Sequence, residues 1–198
     1  MAVSDYSSRA ALTAVDLVNS HDVMTGEERL ASEAAAAELL GRRGWVVDRP
    51  LSRVDLERLR GLRPRLRFVF GNAVVRKSVA DLNGLLRELG AQPQLTDHDG
   101  AWHWHYARPR APLAERVATT CVVALLTVIA DGGAARLRIC DRTECGNVFV
   151  DASRPGSRRF CDARGCGNRV HASAYRERRR GAGSEGSGGS GDEQLSSQ

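Results

Sequence analysis

The chain has 198 residues, 42% of them hydrophobic, which is enough for one sizeable core plus a small appendage. Its formal charge is +5, and 28 of its 29 basic residues are arginine, Lys77 being the exception; an arginine and alanine excess is also what a GC-rich genome produces, so composition alone assigns no function. The longest largely apolar run, 121–130, falls short of the roughly 20 residues a membrane span needs. The polar N-terminus also lacks the apolar stretch of a secretory leader. A soluble, cytoplasmic chain with reduced thiols and no membrane partner is therefore expected.

The apolar periodicity predicts a first helix over 8–20, with Leu12, Val15 and Val18 on one side. Asp16 and Asn19, three apart on it, read as groups that cap or hydrogen-bond a neighbouring segment. A second, alanine-rich helix is expected over 26–43, ended by Gly44. Ser52 with Asp55 three residues on reads as the N-cap of a third helix. That helix carries Leu56, Leu59, Leu62 and Leu66 along one side, and Pro64 within it predicts a kink or a break. A fourth helix is expected over 78–89, stopped by Gly90.

The period then changes to two. Residues 94–96 and 101–106 around Asp99-Gly100 read as a β-hairpin, with Trp102, Trp104 and Tyr106 on one face and His103 and His105 on the other. Two histidines at this spacing could bind a metal or line a ligand pocket. No third ligand accompanies them, so a half-buried strand with its polar face wet is the favoured reading. The most apolar helix, 113–130, is expected at the centre of the bundle, with Cys121 inside it as a small buried hydrophobe. Residues 132–135 read as a linker, and 181–198, rich in glycine and serine, as a disordered tail. The fold class is thus mainly α with a small β-hairpin. It comprises a helical domain over 1–131 and a small four-cysteine module over 136–180 that ends in a helix.

That module carries the chemistry. Cys140-Asp-x-x-x-Cys145-Gly-Asn and Cys161-Asp-x-x-x-Cys166-Gly-Asn are near copies set 21 residues apart. Four cysteines so paired in a reducing compartment point to a metal rather than to disulfides. A structural Zn2+ takes four thiolates in a closed tetrahedron, so Cys140, Cys145, Cys161 and Cys166 are the candidate ligands. An iron–sulfur cluster or a regulatory dithiol pair uses the same residue type, but neither accounts for the symmetric Cys-Gly-Asn halves. Gly146 and Gly167, each following a second cysteine, are expected to turn the chain so that backbone N–H groups point at sulfur. Val148-Phe149-Val150 and Phe160, between the cysteine pairs, suggest a short strand pair packed on the metal.

Charge is distributed unevenly. Residues 136–180 hold twelve arginines against five acids, a net of +7, which leaves −2 for the rest of the chain. Such an asymmetry suits a polyanion-binding module. On a helix over 167–180, Arg169, Arg176 and Arg180 share one stripe, with small residues between them and Val170, Ala174 and Tyr175 on the side expected to pack on the metal core. Arg154, Arg158 and Arg159 add contacts suited to a phosphate backbone.

The spacing Cys140-x4-Cys145-Gly, then Ser157-Arg-Arg-Phe-Cys161-x4-Cys166-Gly-Asn168-Arg169, resembles the CGNR zinc finger. Ala14-Val-Asp-Leu-Val-Asn-Ser20 is similar to the first helix of the ABATE domain that usually precedes that finger. The resemblance implies a bacterial stress-linked transcription regulator. In it a zinc-held finger binds double-stranded DNA through groups such as Asn168 and the arginines above, and the helical domain senses a small-molecule effector or forms a homodimer. The alternative is a zinc-stabilised protein-interaction module without nucleic-acid binding. No nucleophile–base spacing, phosphate loop or open metal site accompanies these motifs, so no catalytic residues and no enzymatic activity are expected.

Overall fold

The computed structural model describes residues 5–97, 100–162, 165–170, 172–173 and 175–176. Its elements follow in the order α1 (Asp5–Asn19), α2 (Glu33–Arg42), α3 (Arg53–Arg67), α4 (Val75–Glu88), β1 (Gln94–Thr96), β2 (His103–His105), α5 (Leu113–Gly132), a 3₁₀ turn (Ala134–Arg136), β3 (Leu137–Ile139) and β4 (Val148–Val150). Residues 166–170, 172–173 and 175–176 are helical as well. The architecture is mainly α with two small antiparallel strand pairs. The tail over 181–198 lies outside the described residues.

α5 is the hub. It packs against α1, α3 and α4 and buries Val117, Cys121, Val122 and Leu125 completely. Each such side chain contributes about 1.5–3 kcal/mol relative to an exposed one. By length and composition α5 is a helix that could cross a membrane, a longer apolar element than the run 121–130, and its apolar surface here forms the centre of the core.

α3 shows how local chemistry sets an element. Ser52 Oγ accepts from Asp55 N at 3.2 Å and Ser52 N donates to Asp55 Oδ2 at 3.0 Å, a reciprocal capping box. Leu56, Leu59, Leu62 and Leu66 are all buried. The break expected at Pro64 does not occur. Proline removes the N–H that would bond the Arg60 carbonyl, but Arg63 Nε donates to that carbonyl at 3.3 Å, and the helix runs on to Arg67.

The second helix begins at Glu33, later than its alanine run suggested, with Ser32 Oγ accepting from Ala35 N. Residues 26–32 belong instead to an ordered loop held by long-range pairs. Arg63 grips both oxygens of Glu28 at 2.8 and 2.7 Å, and Arg60 donates twice to the Leu30 carbonyl at 3.0 and 2.6 Å. Leu30 itself is fully buried.

In the β1–β2 hairpin Gln94 faces His105 and Thr96 faces His103, and Gly100 takes φ +85 in the turn; Asp99 lies outside the described residues. The faces are opposite to the expectation. Trp102 and Trp104 are 70% and 51% exposed, whereas His103 and His105 are half-buried, their Nε2 atoms 3.1 Å apart.

β4 pairs not with a strand inside the 146–160 segment but with β3, which precedes Cys140: Leu137 faces Val150 and Ile139 faces Val148. The stretch 132–135, read as a linker, is the end of α5 running into the 3₁₀ turn. Leu137, Val148 and Val150 join the core of the helices, while Phe149, pointing the other way, packs with the four cysteines. Asn19, at the end of α1, clamps β4 in place. Its Nδ2 donates to Val148 O at 2.9 Å and its Oδ1 accepts from Val148 N at 2.8 Å. Its companion Asp16 takes Arg43 bidentately at 2.6 and 2.9 Å, so Asp16 and Asn19 both bond neighbouring segments. Two further bonds tie the hairpin down, Gly71 N to Leu137 O at 2.9 Å and Arg67 Nη2 to Gly146 O at 2.7 Å.

Asn19→Ala leaves both Val148 backbone groups without these partners. The expected cost is about 2–3 kcal/mol, a fall in Tm of about 5–10 °C for a chain of this size. Thermal unfolding followed by circular dichroism checks it, and an unchanged Tm would show that the clamp does not hold the hairpin.

Candidate metal centre and basic surface

Cys140 follows β3, Cys145 precedes β4, Cys161 ends the long connection after β4, and Cys166 opens the helical stretch at 166–170. All four thiols are free and buried, and their sulfurs all lie within 4.8 Å of one another. Cys145–Cys161 and Cys145–Cys166 are 3.5 Å apart and Cys161–Cys166 3.7 Å. Sulfurs at 2.3 Å from a tetrahedral zinc are separated by about 3.8 Å, and a disulfide needs about 2.05 Å. The donor set and its spacing fit a soft-ligand metal such as zinc.

Backbone and side-chain donors surround the sulfurs. Cys161 N points at Cys140 Sγ at 3.5 Å, Asn147 N–H bonds the Cys145 sulfur, and Asn147 Nδ2 lies 4.0 Å from Cys161 Sγ. Burial pushes the Cys145 and Cys161 thiols up. Burial acts the same way on Cys166, but hydrogen bonds from Cys145 and from the Arg142 guanidinium outweigh it and hold that thiol below its ordinary value.

The two knuckles are not built alike. Gly146 takes φ +63, and a Cβ there would stand 2.5 Å from Val23 Cγ2, so both backbone and packing demand glycine. Gly167, expected to do the same, sits inside the helical stretch without a positive φ. Gly165, at φ +57, makes the turn instead. The helix starting at Cys166 forces the second knuckle to turn before its last cysteine rather than after it.

Of the arginines expected on a binding surface, Arg158 and Arg159 line a shallow depression of about 330 Å³ together with Asn168. Arg158 Nε donates to Phe160 O at 2.9 Å. Its guanidinium pairs with Asp162 at 2.5 Å and lies over the Phe149 ring. Arg159 pairs with Asp141 at 2.8 Å and lies over Phe160. Asn168, Arg169 and Arg176 are exposed on the helical stretch. Arg154 stands apart, on a cavity of about 440 Å³ bounded by Ala11 of α1 and Val128 of α5. Arg180 and Ala174 lie outside the described residues. Tyr175, expected against the metal core, is 55% exposed, while Val170 is half-buried.

Residues 12–135 match the family described as "Putative stress-induced transcription regulator", ABATE. The chain belongs to the ABATE family. Residues 136–179 match the CGNR zinc finger, whose four-letter signature is Cys166 to Arg169 at the start of the helical stretch. No curated protein matches the chain.

One residue that organises this ABATE-family chain escaped the sequence reading. Asp151, fully buried after β4, accepts from Ser153 N at 2.9 Å and Ser153 Oγ at 2.5 Å through Oδ1, and from Arg158 N at 2.9 Å through Oδ2. Arg136 completes the loop, donating to the carbonyls of Asp151 at 3.2 Å and of Ser153. Its guanidinium also fills the space where a Cβ on Gly156 would lie, 2.9 Å from Cζ. The signal was present in Asp151-Ala-Ser153 before Pro155-Gly156, an Asx-type turn sequence.

Burial raises the Asp151 carboxyl, but the hydrogen bonds from Ser153 and Arg158 prevail and hold it below the usual carboxylate range. Its folded pKa is thus lower than the unfolded value of about 3.9. The carboxylate stabilises the fold above that value, and the contribution is lost as pH falls through the folded pKa. Asp151→Asn is expected to cost about 1–3 kcal/mol at pH 7, with the gap from the parent narrowing below about pH 4. Denaturant unfolding of the two proteins at matched pH measures that gap, and a gap independent of pH would contradict the assignment.

Proposed function

We propose that Cys140, Cys145, Cys161 and Cys166 hold one Zn2+ and that the finger so formed binds duplex DNA, making the chain a zinc-dependent, DNA-binding transcription regulator. The observation that carries the DNA reading is Asn168 and Arg169, both exposed at the start of the helical stretch beside the depression that holds Arg158 and Arg159. An asparagine and an arginine so presented suit base edges, adenine and guanine respectively. Arg158, Arg159 and Arg154 suit phosphates, and Arg176, exposed further along the helical stretch, adds another cation.

A four-thiolate zinc would supply folding free energy of order 10 kcal/mol to a segment whose own apolar core is Phe149 and Phe160. In this reading residues 1–131 form a sensing or dimerising domain and 136–180 the DNA-binding finger, in the cytoplasm on the nucleoid. Pairing of two chains would place two fingers on adjacent half-sites.

Metal analysis of the purified protein should find one zinc per chain, unchanged by Cys121→Ser and lost in Cys166→Ser. Arg169→Ala combined with Arg176→Ala should abolish duplex binding while zinc content holds. The parent's affinity should fall steeply with salt. A double variant that binds duplex as the parent does would remove the helical stretch from the interface.

A second reading, a protein-interaction module without nucleic-acid binding, draws on Arg158 and Arg159 being already paired with Asp162 and Asp141. It also draws on the fixing of β4 to α1 by Asn19. The absence of affinity for any nucleic acid at low salt would favour it.

A further inference from the structure

We propose that the cavity beneath β2 binds a small organic anion, a carboxylate or phosphate ester carrying an apolar or aromatic body. The cavity measures about 780 Å³, within the range of roughly 300–1,000 Å³ usual for small-molecule sites. It lies between the start of α1, the segment after α2, the β2 strand and the start of α5.

Its charge is one-sided. Six arginines line it, and Asp48 is the single acid among the lining residues. Arg43 is answered by Asp16, Arg49 by Asp55, Arg108 by Glu115, and Arg116 by Asp48 at 3.9 Å. Arg9 and Arg110 have no ion-pair partner among the described residues. Four carboxylates against six guanidinium groups leave a surplus of two positive charges.

Three details point to a missing acceptor. Arg116 Nε is buried with no hydrogen-bond partner, an uncommon condition for so strong a donor. Arg110 takes φ +59, the one non-glycine residue with a positive φ among those described, and strain of this kind gathers at ligand sites. α5 opens on the cavity through Pro112 and Leu113, and its N-terminus has no side-chain cap, so its dipole also favours a negative group.

The remaining walls suit an apolar body. Trp45 is anchored by Nε1 to Thr13 Oγ1 at 3.1 Å, and Tyr106 and Leu113 line the same space. His103 and His105 form the wall on the β2 side. His103 Nδ1 donates to Ala101 O at 2.8 Å, which orients the ring so that Nε2 meets His105. The two histidines that sequence alone left without a third ligand thus border a basic cavity.

The test is calorimetric titration of the full-length, zinc-loaded protein, in the absence of DNA, with phenyl phosphate and benzoate, and with phenol and benzamide as neutral counterparts. Binding of at least one anion at one site per chain, with a rise in Tm and no binding of its neutral counterpart, is expected; which anion binds separates phosphate from carboxylate. Arg9→Gln combined with Arg110→Asn should weaken that binding by about tenfold or more. Both residues are exposed, and asparagine tolerates the left-handed backbone at 110. Arg116→Gln is an independent second variant, expected to weaken binding as well. Failure of both anions to bind up to about 10 mM, equal binding of the neutral compounds, or unchanged affinity in folded variants would overturn the proposal. None of these outcomes depends on whether the finger binds DNA.

Discussion

A three-residue strand, β4, is the constraint on which the rest depends. Alternation along it sends Val148 and Val150 into the core of the helices and Phe149 into the cysteine cluster. Asn19 fixes its height and register from the end of α1. Among the described residues the cysteine cluster packs with Phe149 and Phe160 as apolar cover, too little surface to hold a fold by burial alone. The finger therefore leans on the helices, and the helices receive in Leu137 and Val148 two fully covered residues from it.

Arginine, which dominates the basic composition, is largely a structural residue here. Arg60 and Arg63 hold the loop before α2, Arg43 joins the segment after α2 to α1, Arg67 reaches the Gly146 carbonyl, and Arg136 anchors the loop after β4. A guanidinium carries five donors in a rigid fork, so one side chain can satisfy several loop carbonyls at once. Net charge over 136–180 consequently overstates the charge free to meet a polyanion. Among the described residues of that span, Arg154, Arg159, Arg169 and Arg176 remain exposed and Arg158 half-buried, and Arg154 stands apart from the others. α1 carries, three residues apart, the partner of a cavity arginine, Asp16, and the clamp on the finger strand, Asn19.

What could be read from the sequence was what depends on local chemistry. The four leucines of α3, its Ser52–Asp55 cap and the apolarity of α5 are each written within a few residues. The cysteine cluster was legible because thiols are few and their spacing is chemical. What escaped depends on distant partners. Residues 26–32 have a helical composition, but Arg63 and Arg60, some thirty residues on, hold them in a loop. Pro64 is tolerated because its neighbour's side chain supplies the lost donor. β3 is three residues long and carries no signal of its own, since its strand character comes from pairing with β4 across the first knuckle. The tryptophans face outward because the hairpin turns its histidine face to the helices, a choice that alternation alone leaves open. Arg154 and Arg158, four apart in sequence, are separated because Asp151 bends the chain between them.

The placement of Leu137 bears on how such a chain can be rearranged. The junction between its two family segments, at 135 and 136, falls in the last residues of a 3₁₀ turn. The buried floor of the helical part, however, continues past it through Leu137, Val148 and Val150. Finger and helices are separable as text but not as objects. A finger taken from a related chain could be grafted onto these helices only if it brought the same three apolar residues and a β4 backbone in register with Asn19. The two segments are therefore expected to travel together in recombination, inherited as a matched set rather than shuffled as independent cassettes.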